Sequence, residues 1–591
     1  MRTIDMQRSL LFLLALVFTS NPSCAQSASI GDVGIQGFFS IGSAPTRVRV
    51  QLSNPGPQPV ILNITVSVSE KDAHLGRIDR FASSVSLQAN ESRTIDLPIP
   101  LFAGRPVLAL DVSTSDGRGI AHQTQILQRP EANALVLLLC AEEKTCNEIV
   151  GTINASGNDE QKTRKTKAYT FLVLKDIPEE WWIYGPAHSV ILARPASGLS
   201  ARQREALEGY CRLRGQVTVI DDQVGPGFLD IYRAGARGVR TNVGTGALFH
   251  FPDAPELAAF LDRSVGDLQD GDEAKIFRQL GRFNAFRNAN DSLPLVTTFS
   301  FPTLRWLTVW LVVYIVVVGV LNFFILTRLN RRELAWITVP AIALVFALML
   351  YFMSAAKRPK NVGVDEIATY TMDNQSRQAA AFYEVRISSP HRQDLSVFVP
   401  GDAIWNGADQ VGKSDANFSM FDRRATNFTD GWTVRFLPER TFEIPLQQWS
   451  YQDLNFSGIV TLPGSLGKPA PGQLKNETGL TFQEAVFLAD GQVFDLGEIA
   501  AGATFASHRG AGEDVESVRK KWFEEMQRRD ARIETSSRED LKRLLAIQSS
   551  SAPYPFFAGL AEAPVLGANV AGQNFIHRQY IIVVVGMRST P

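Results

Sequence analysis

At 591 residues the chain has room for roughly three to four domains. A content of 45% hydrophobic and 20% charged residues suits folded modules and excludes both a disordered chain and a transporter built mainly of membrane helices. Lys+Arg 59 against Asp+Glu 60 leaves a formal net charge of -1, without the basic excess that nucleic-acid binders carry.

The first 25 residues have the three parts of an export signal. Arg2 and Arg8 precede a short apolar core (SLLFLLALVFTS, residues 9–20), and Ser23, Cys24 and Ala25 put small residues before a cleavage point at about Gln26. Lipidation at Cys24 is the alternative, but Asn21-Pro22 stands where a lipobox needs an aliphatic residue. Over 29–128, Val48, Val50 and Leu52 alternate with Arg47, Arg49 and Gln51. After the turn Asn54-Pro55-Gly56, Leu62, Ile64, Val66 and Val68 alternate with polar residues. Period-two alternation broken by turns predicts an immunoglobulin-like β-sandwich.

From 130 to 290 the pattern changes to continuous apolar runs at 135–139, 171–174, 190–192 and 217–220, the mark of strands covered on both faces in a parallel sheet. A helix between the last two is framed by Ser200 and Gln203 as a capping box, with Leu207, Tyr210 and Cys211 as its apolar stripe and Gly215 as its stop. The expectation is an α/β domain.

Two apolar runs, 304–326 and 334–354, have the length a helix needs to cross a bilayer of ~30 Å. They are joined by a basic turn with Arg328, Arg331 and Arg332, and Trp306, Trp310, Trp336 and Tyr351 sit near their ends. Asn322 is the strongly polar residue inside the first run and reads as a contact within the hairpin. The signal sends the preceding domains outward, so the turn is expected in the cytoplasm and both large regions on the periplasmic side of a bacterial inner membrane. Lys357, Arg358 and Lys360 at the outer end weaken the charge argument, and the leader sets the orientation. Residues 361–591 return to strand patterns, among them Val434 with Phe436 and Phe442, Ile444 and Leu446. A helical insertion is marked by Val515, Val518, Trp522 and Met526, and by Ser537 with Asp540 before 541–547.

In this order the pieces resemble a family of largely uncharacterised bacterial membrane proteins that combine an exported β-sandwich, a glutamine-amidotransferase-like α/β domain, a two-helix membrane hairpin and a β-rich C-terminal domain. The stretch 321–336 (LNFFILTRLNRRELAW) resembles their hairpin turn, 472–478 (GQLKNET) with 496–499 (LGEI) their C-terminal domain, and 181–220 their α/β core. The resemblance implies an architecture and no activity.

An active amidotransferase needs a nucleophilic cysteine on a sharp turn after a strand. The turn after 190–192 reads Ala193-Arg194-Pro195-Ala196-Ser197 and offers none. Cys140, ending the first parallel strand, has three readings: a disulfide to Cys146, which is favoured, a free structural thiol, or a nucleophile. Cys211 reads as a buried structural thiol. Asp221 and Asp222 end a strand and are ligand candidates whose simpler reading is a solvated loop. Gly244-Thr245-Gly246 lacks the third glycine of a dinucleotide loop and reads as a turn. Trp181 and Trp182 could stack a sugar, though packing is the simpler role. No catalytic, cofactor or metal residue is assigned. The expected function is a non-enzymatic, membrane-anchored envelope protein that binds or scaffolds a protein partner, such as a membrane complex or transporter. Polysaccharide or small-ligand binding is one alternative, and a hydrolase or amidotransferase-like enzyme using Cys140 is the other.

Overall fold

The structure, a computed structural model, describes residues 29–34, 46–126, 134–156, 169–266, 304–408, 433–521 and 555–587, apart from short internal stretches of which 221–240 is the longest. The leader with Cys24, the residues Trp432, Trp522 and Met526, and most of 541–547 lie outside the described residues. The chain divides into two compact units.

The first unit holds the N-terminal strands together with 429–441. Ser29–Gly34, Thr46–Asn54 and Glu91–Ile99 form one antiparallel sheet. Ile78–Leu87, Val60–Glu70, Pro106–Thr114 and Gly119–Ile126 lie side by side in a second. The alternation read from sequence is the alternation of burial: Val48, Val50, Leu52, Leu62, Ile64, Val66 and Val68 are all buried. Each such side chain contributes ~1.5–3 kcal/mol when fully removed from water. Arg47 is buried as well, on the opposite face, because Asp96 accepts its guanidinium at 2.5 Å and also that of Arg49 at 3.2 Å. One strand of this unit comes from far along the chain. Thr433–Arg435 pairs in parallel with Ile78–Leu87, Thr433 opposite Arg80 and Arg435 opposite Ala82. Val434 is buried, the Phe436 N–H donates to the Ala82 carbonyl (3.0 Å), and the Phe436 ring stacks on Phe81 at 6.2 Å. The sequence pattern alone groups Val434 and Phe436 with the C-terminal strands.

The second unit contains a parallel sheet in the order Tyr169–Val173, Ala134–Cys140, Ser189–Ala193, Gln216–Ile220, Gly246–Phe251, with Thr241–Val243 antiparallel at its edge. In chain order the parallel strands run 2-1-3-4-5, an open doubly wound arrangement. One face packs Val136, Leu138 and Ile191 against Ile149, Ile153, Leu257 and Ala258 of the helices Glu143–Ala155 and Ala254–Gly266. The alternate positions Leu137, Leu139, Val190 and Leu192 are buried too, which is why these strands read as unbroken apolar runs. The helix Ala201–Leu213 begins with the capping box: the Gln203 N–H donates to Ser200 Oγ (3.1 Å) and the Ser200 N–H to Gln203 Oε1 (2.9 Å). It stops at Gly215, whose N–H donates to the Tyr210 carbonyl (2.8 Å); a Cβ there would lie 2.2 Å from the Tyr210 ring.

Two apolar helices of membrane length follow, 21 residues each, at Thr308–Arg328 and Arg332–Phe352. The first contains a π-helical stretch, Val316–Leu321, after which the Asn322 N–H is shared between the Val317 and Gly319 carbonyls. Trp310 and Tyr314 meet Phe346 edge-on at 6.1 and 5.4 Å, and Asn322 and Leu326 are buried. Most of the remaining apolar surface faces outward, with Trp336 at 89% exposure.

The β-rich C-terminal region forms a nine-stranded sheet. At its centre the first and last strands of the region, Val362–Asp373 and Phe575–Gly586, run parallel over twelve pairs. Val362–Asp373 then pairs antiparallel with Gln378–Ser389, and that strand with Ser450–Thr461. The helix Ala201–Leu213 packs on this sheet: a Cβ on Gly209 would lie 2.6 Å from Ile459 Cδ1, and Arg212 Nη1 donates to Ser376 Oγ (2.9 Å). A short three-stranded sheet, Leu466–Gly467, Gln473–Asn476 and Thr504–Ala506, lies in the same region of sequence.

Candidate functional site

Where strand order reverses in an open parallel sheet, the loops leaving adjacent strands diverge and a crevice opens at their carboxyl ends. Here that point lies between Ala134–Cys140 and Ser189–Ala193, and Cys140 and Ala193 are register partners. Cys140 is bonded to Cys146 across a sequence separation of six, which consumes the one thiol a nucleophile would use. Cys146 lies inside Glu143–Ala155, is fully buried and belongs to the apolar core, so the bridge ties the strand end to the helix that follows. On the neighbouring strand, Ala193 is buried and Arg194 Nη2 donates to the Gly198 carbonyl (3.0 Å), closing the turn on itself. The ends of the two strands at this point therefore carry a disulfide, an alanine and an arginine.

The other sequence candidates separate. Cys211 is fully buried in Ala201–Leu213. Trp181 and Trp182 form a single 3-10 turn with Ile183 and Tyr184. Trp182 is buried and Trp181 is half-buried against the helix, its Cβ 3.2 Å from where a side chain on Gly209 would begin. Tyr184 and Tyr210 fix this packing by donating to the Pro178 and Ala187 carbonyls, both at 3.0 Å, and burial pushes the Tyr184 phenol up from its ordinary range. Asp221, Asp222, Gly244 and Thr245 lie outside the described residues, while Gly246 begins a strand opposite Val243. Among the described residues no group of three or more His, Cys, Asp or Glu side chains is placed to hold a metal ion.

A dense polar cluster lies on the C-terminal sheet, and the sequence reading misses it. Glu366 is completely buried, and its carboxylate accepts from the N–H groups of Leu566 (2.8 Å), Gly567 (3.0 Å) and Ala568 (2.5 Å) and from Gln579 Nε2 (3.2 Å). His577 Nε2 lies 2.9 Å from the same carboxylate. Glu366 thus anchors the 566–568 turn through three backbone N–H groups. On the opposite face Asp365 stands beside Arg386, which holds Asp453 through two bonds (2.6 and 2.9 Å) and Glu384 through one (3.1 Å). Burial pushes the Asp365 carboxyl up to about 6 against the pull of Arg578, Arg386 and His577. The available signal was the pair Asp365-Glu366 inside a strand whose partner strand carries His577, Arg578 and Gln579. Only the pairing of the first strand with the last brings them together.

No family model matches the chain, and no curated protein matches it. Among solved structures, the Pseudomonas fluorescens alkylpurine DNA glycosylase AlkC is 16% identical over 18% of this chain and 32% of its own, with a TM-score of 0.15. The Bacteroides uniformis beta-glucuronidase 2 is 8% identical over 32% of this chain and 33% of its own, at 0.16. The yeast delta-COP-I mu-homology domain is 7% identical over 39% of this chain and 98% of its own, at 0.17. The chain spans about a third of the length of the first of these structures. Likenesses this slight carry no argument about fold or activity.

Proposed function

We propose that this chain is a membrane-anchored envelope protein that binds or scaffolds a protein partner, with both large regions on the exported side and without catalysis of its own. The observation that carries the reading is the use of the membrane-length helices by the fold around them. Ile78–Leu87 precedes the hairpin and Thr433–Arg435 follows it, yet the two are adjacent strands. Arg212 and Ser376 flank the hairpin in the same way and share a hydrogen bond. An even number of crossings is what lets such segments meet, and helices with their apolar side chains turned outward suit hydrocarbon. The Cys140–Cys146 bridge fits an oxidising compartment.

The family likeness read from 321–336, 472–478 and 181–220 belongs to this reading. In it the first unit is an immunoglobulin-like module and the parallel sheet a glutamine-amidotransferase-like domain whose chemistry has been lost. What supports the loss is that Cys140 is spent in a disulfide and that Ala193 and Arg194 stand at the turn where the nucleophile belongs. Polysaccharide stacking on Trp181 and Trp182 is disfavoured by their packing against the helix.

Crosslinking in native membranes followed by mass spectrometry tests the binding role: a reproducible protein partner is expected, and recovery of the chain alone at every expression level sinks it. For the topology, a phosphatase active only outside the cytoplasm is fused at Ser300 and at Pro591. Activity at both sites is expected; activity at the first and silence at the second means that a single helix crosses.

A further inference from the structure

Resting on the membrane reading above, we propose that the turn end of the hairpin carries a headgroup site for an anionic phospholipid. Three observations converge there. The Arg332 guanidinium lies over the Phe323 ring, 5.8 Å from its centroid, a cation–ring contact across the hairpin turn. One helical turn further on, Trp336 is 89% exposed, and Phe323, Phe324 and Leu329 are each more than 60% exposed. Arg328, in the last turn of the first helix, is exposed beside them, and Arg332 likewise.

This combination has one chemical reading. A planar guanidinium offers several N–H donors to phosphate oxygens, and the Phe323 ring face beside it favours holding the cation at this end of the helix. An indole at the end of a membrane helix sits at headgroup depth, and the Phe323 and Phe324 rings lie on the hydrocarbon side where acyl chains begin. Cations at the membrane surface attract anionic lipid by about 1 kcal/mol each, or about fivefold per arginine. A zwitterionic headgroup brings its own ammonium to the same place and loses most of that gain. Arg331 lies outside the described residues.

The test uses the full chain, reconstituted in vesicles of equal phosphatidylglycerol and phosphatidylcholine, released gently, with retained lipids counted by native mass spectrometry. Wild type should retain phosphatidylglycerol over phosphatidylcholine. Arg328→Gln with Arg332→Gln should lower that preference by about fivefold or more. Arg332→Lys, which keeps the charge and loses the planar fork of N–H donors, should fall between them. Lys357→Gln with Arg358→Gln, at the other end of the second helix, should leave the preference intact. Equal retention of both lipids by wild type, an unchanged preference in the double arginine variant, or an equal loss in the lysine-end variant overturns the site. A flotation assay separates this failure from that of the membrane reading: a chain that floats with vesicles but shows no preference loses only the headgroup site, and one that does not float loses both.

Discussion

Two buried asparagines, one in each compact unit, solve the same problem with different neighbours. Asn54 ends the strand Thr46–Asn54, and Asn476 ends Gln473–Asn476. Each accepts a backbone N–H two residues on through Oδ1, from Gly56 (3.1 Å) and from Thr478 (3.2 Å). Each donates through Nδ2 to the carbonyl four residues on, Gln58 (2.8 Å) and Leu480 (2.7 Å). A second donation goes to a turn elsewhere in the sheet, Gln88 (2.9 Å) and Ala500 (3.1 Å). The receiving turns match as well: Asn90 and Gly502 both have positive φ, and each turn closes on a backbone bond, Glu91 to Gln88 and Ala503 to Ala500. A side-chain carboxamide has both a donor and an acceptor, so it can replace backbone partners on both sides of a sheet corner.

The difference lies in what stiffens the corner. After Asn54 comes Pro55-Gly56, and proline limits the backbone before any hydrogen bond forms. After Asn476 comes Glu477-Thr478, and Thr478 Oγ1 donates to Asn476 Oδ1 (2.7 Å) and accepts from the Leu480 N–H (3.3 Å). The first corner draws on chain stiffness and the second on a further pair of bonds. The second should therefore depend more heavily on its asparagine.

The largest effect is expected for Asn476→Ala, about 3–4 kcal/mol, because it leaves buried donors and acceptors without partners on both sides of the corner. Hydrogen exchange at Leu474 reads it locally, which matters in a chain whose units need not unfold together. Asn54→Ala should cost about 2–3 kcal/mol, read at Leu52; equal losses at the two sites would erase the distinction drawn here. Thr478→Ala removes only the reinforcing bonds and should cost about 1 kcal/mol, with no counterpart available at the first corner.

The smallest effect near neutrality concerns pH, since neither corner contains a group that titrates there. Losses from both asparagine variants should stay constant between pH 6 and 8. Asp365, in the same unit as Asn476, should behave otherwise. Its folded carboxyl is pushed up to about 6, above an unfolded value of about 3.9, so the native state holds the proton more tightly. Its contribution is most favourable below pH 4, falls as pH rises through 6, and is flat beyond. Asp365→Asn should flatten that window, with the gap to wild type shifting in the variant's favour from pH 4 to 6. An unchanged slope in thermal melts of the variant would assign the window to another group.

Much of this was readable because it depends on local periodicity. Residues 135–139 and 217–220 show unbroken apolar character where both sheet faces are covered, and Ser200 with Gln203 announces a helix start that the hydrogen bonds bear out. The apolar runs at 304–326 and 334–354 likewise reappear as two long helices. What sequence could not supply was pairing between distant segments. The alternation at Val434 and Phe436 identifies a strand but carries no sign that its partner is Ile78–Leu87. Glu366 looks like an exposed carboxylate in a strand until Phe575–Gly586, two hundred residues on, delivers His577 and Gln579 to it. The corner at Asn54 was legible as a turn, but the reach of its side chain to Gln88 was not, since nothing in the spacing fixes which loop comes near.

The late strand also sets a timetable. Leu87 and Thr433 are 346 residues apart (433 − 87), and at 5–20 residues per second that interval lasts roughly 20–70 s of synthesis. Throughout it Arg80–Ala82 lack the strand that later pairs with them, and their edge groups are open to another extended chain. Both apolar helices are made within the same interval. The part of the protein synthesised first is thus among the last to be finished, and a nascent chain stalled between the two segments would present an adhesive edge.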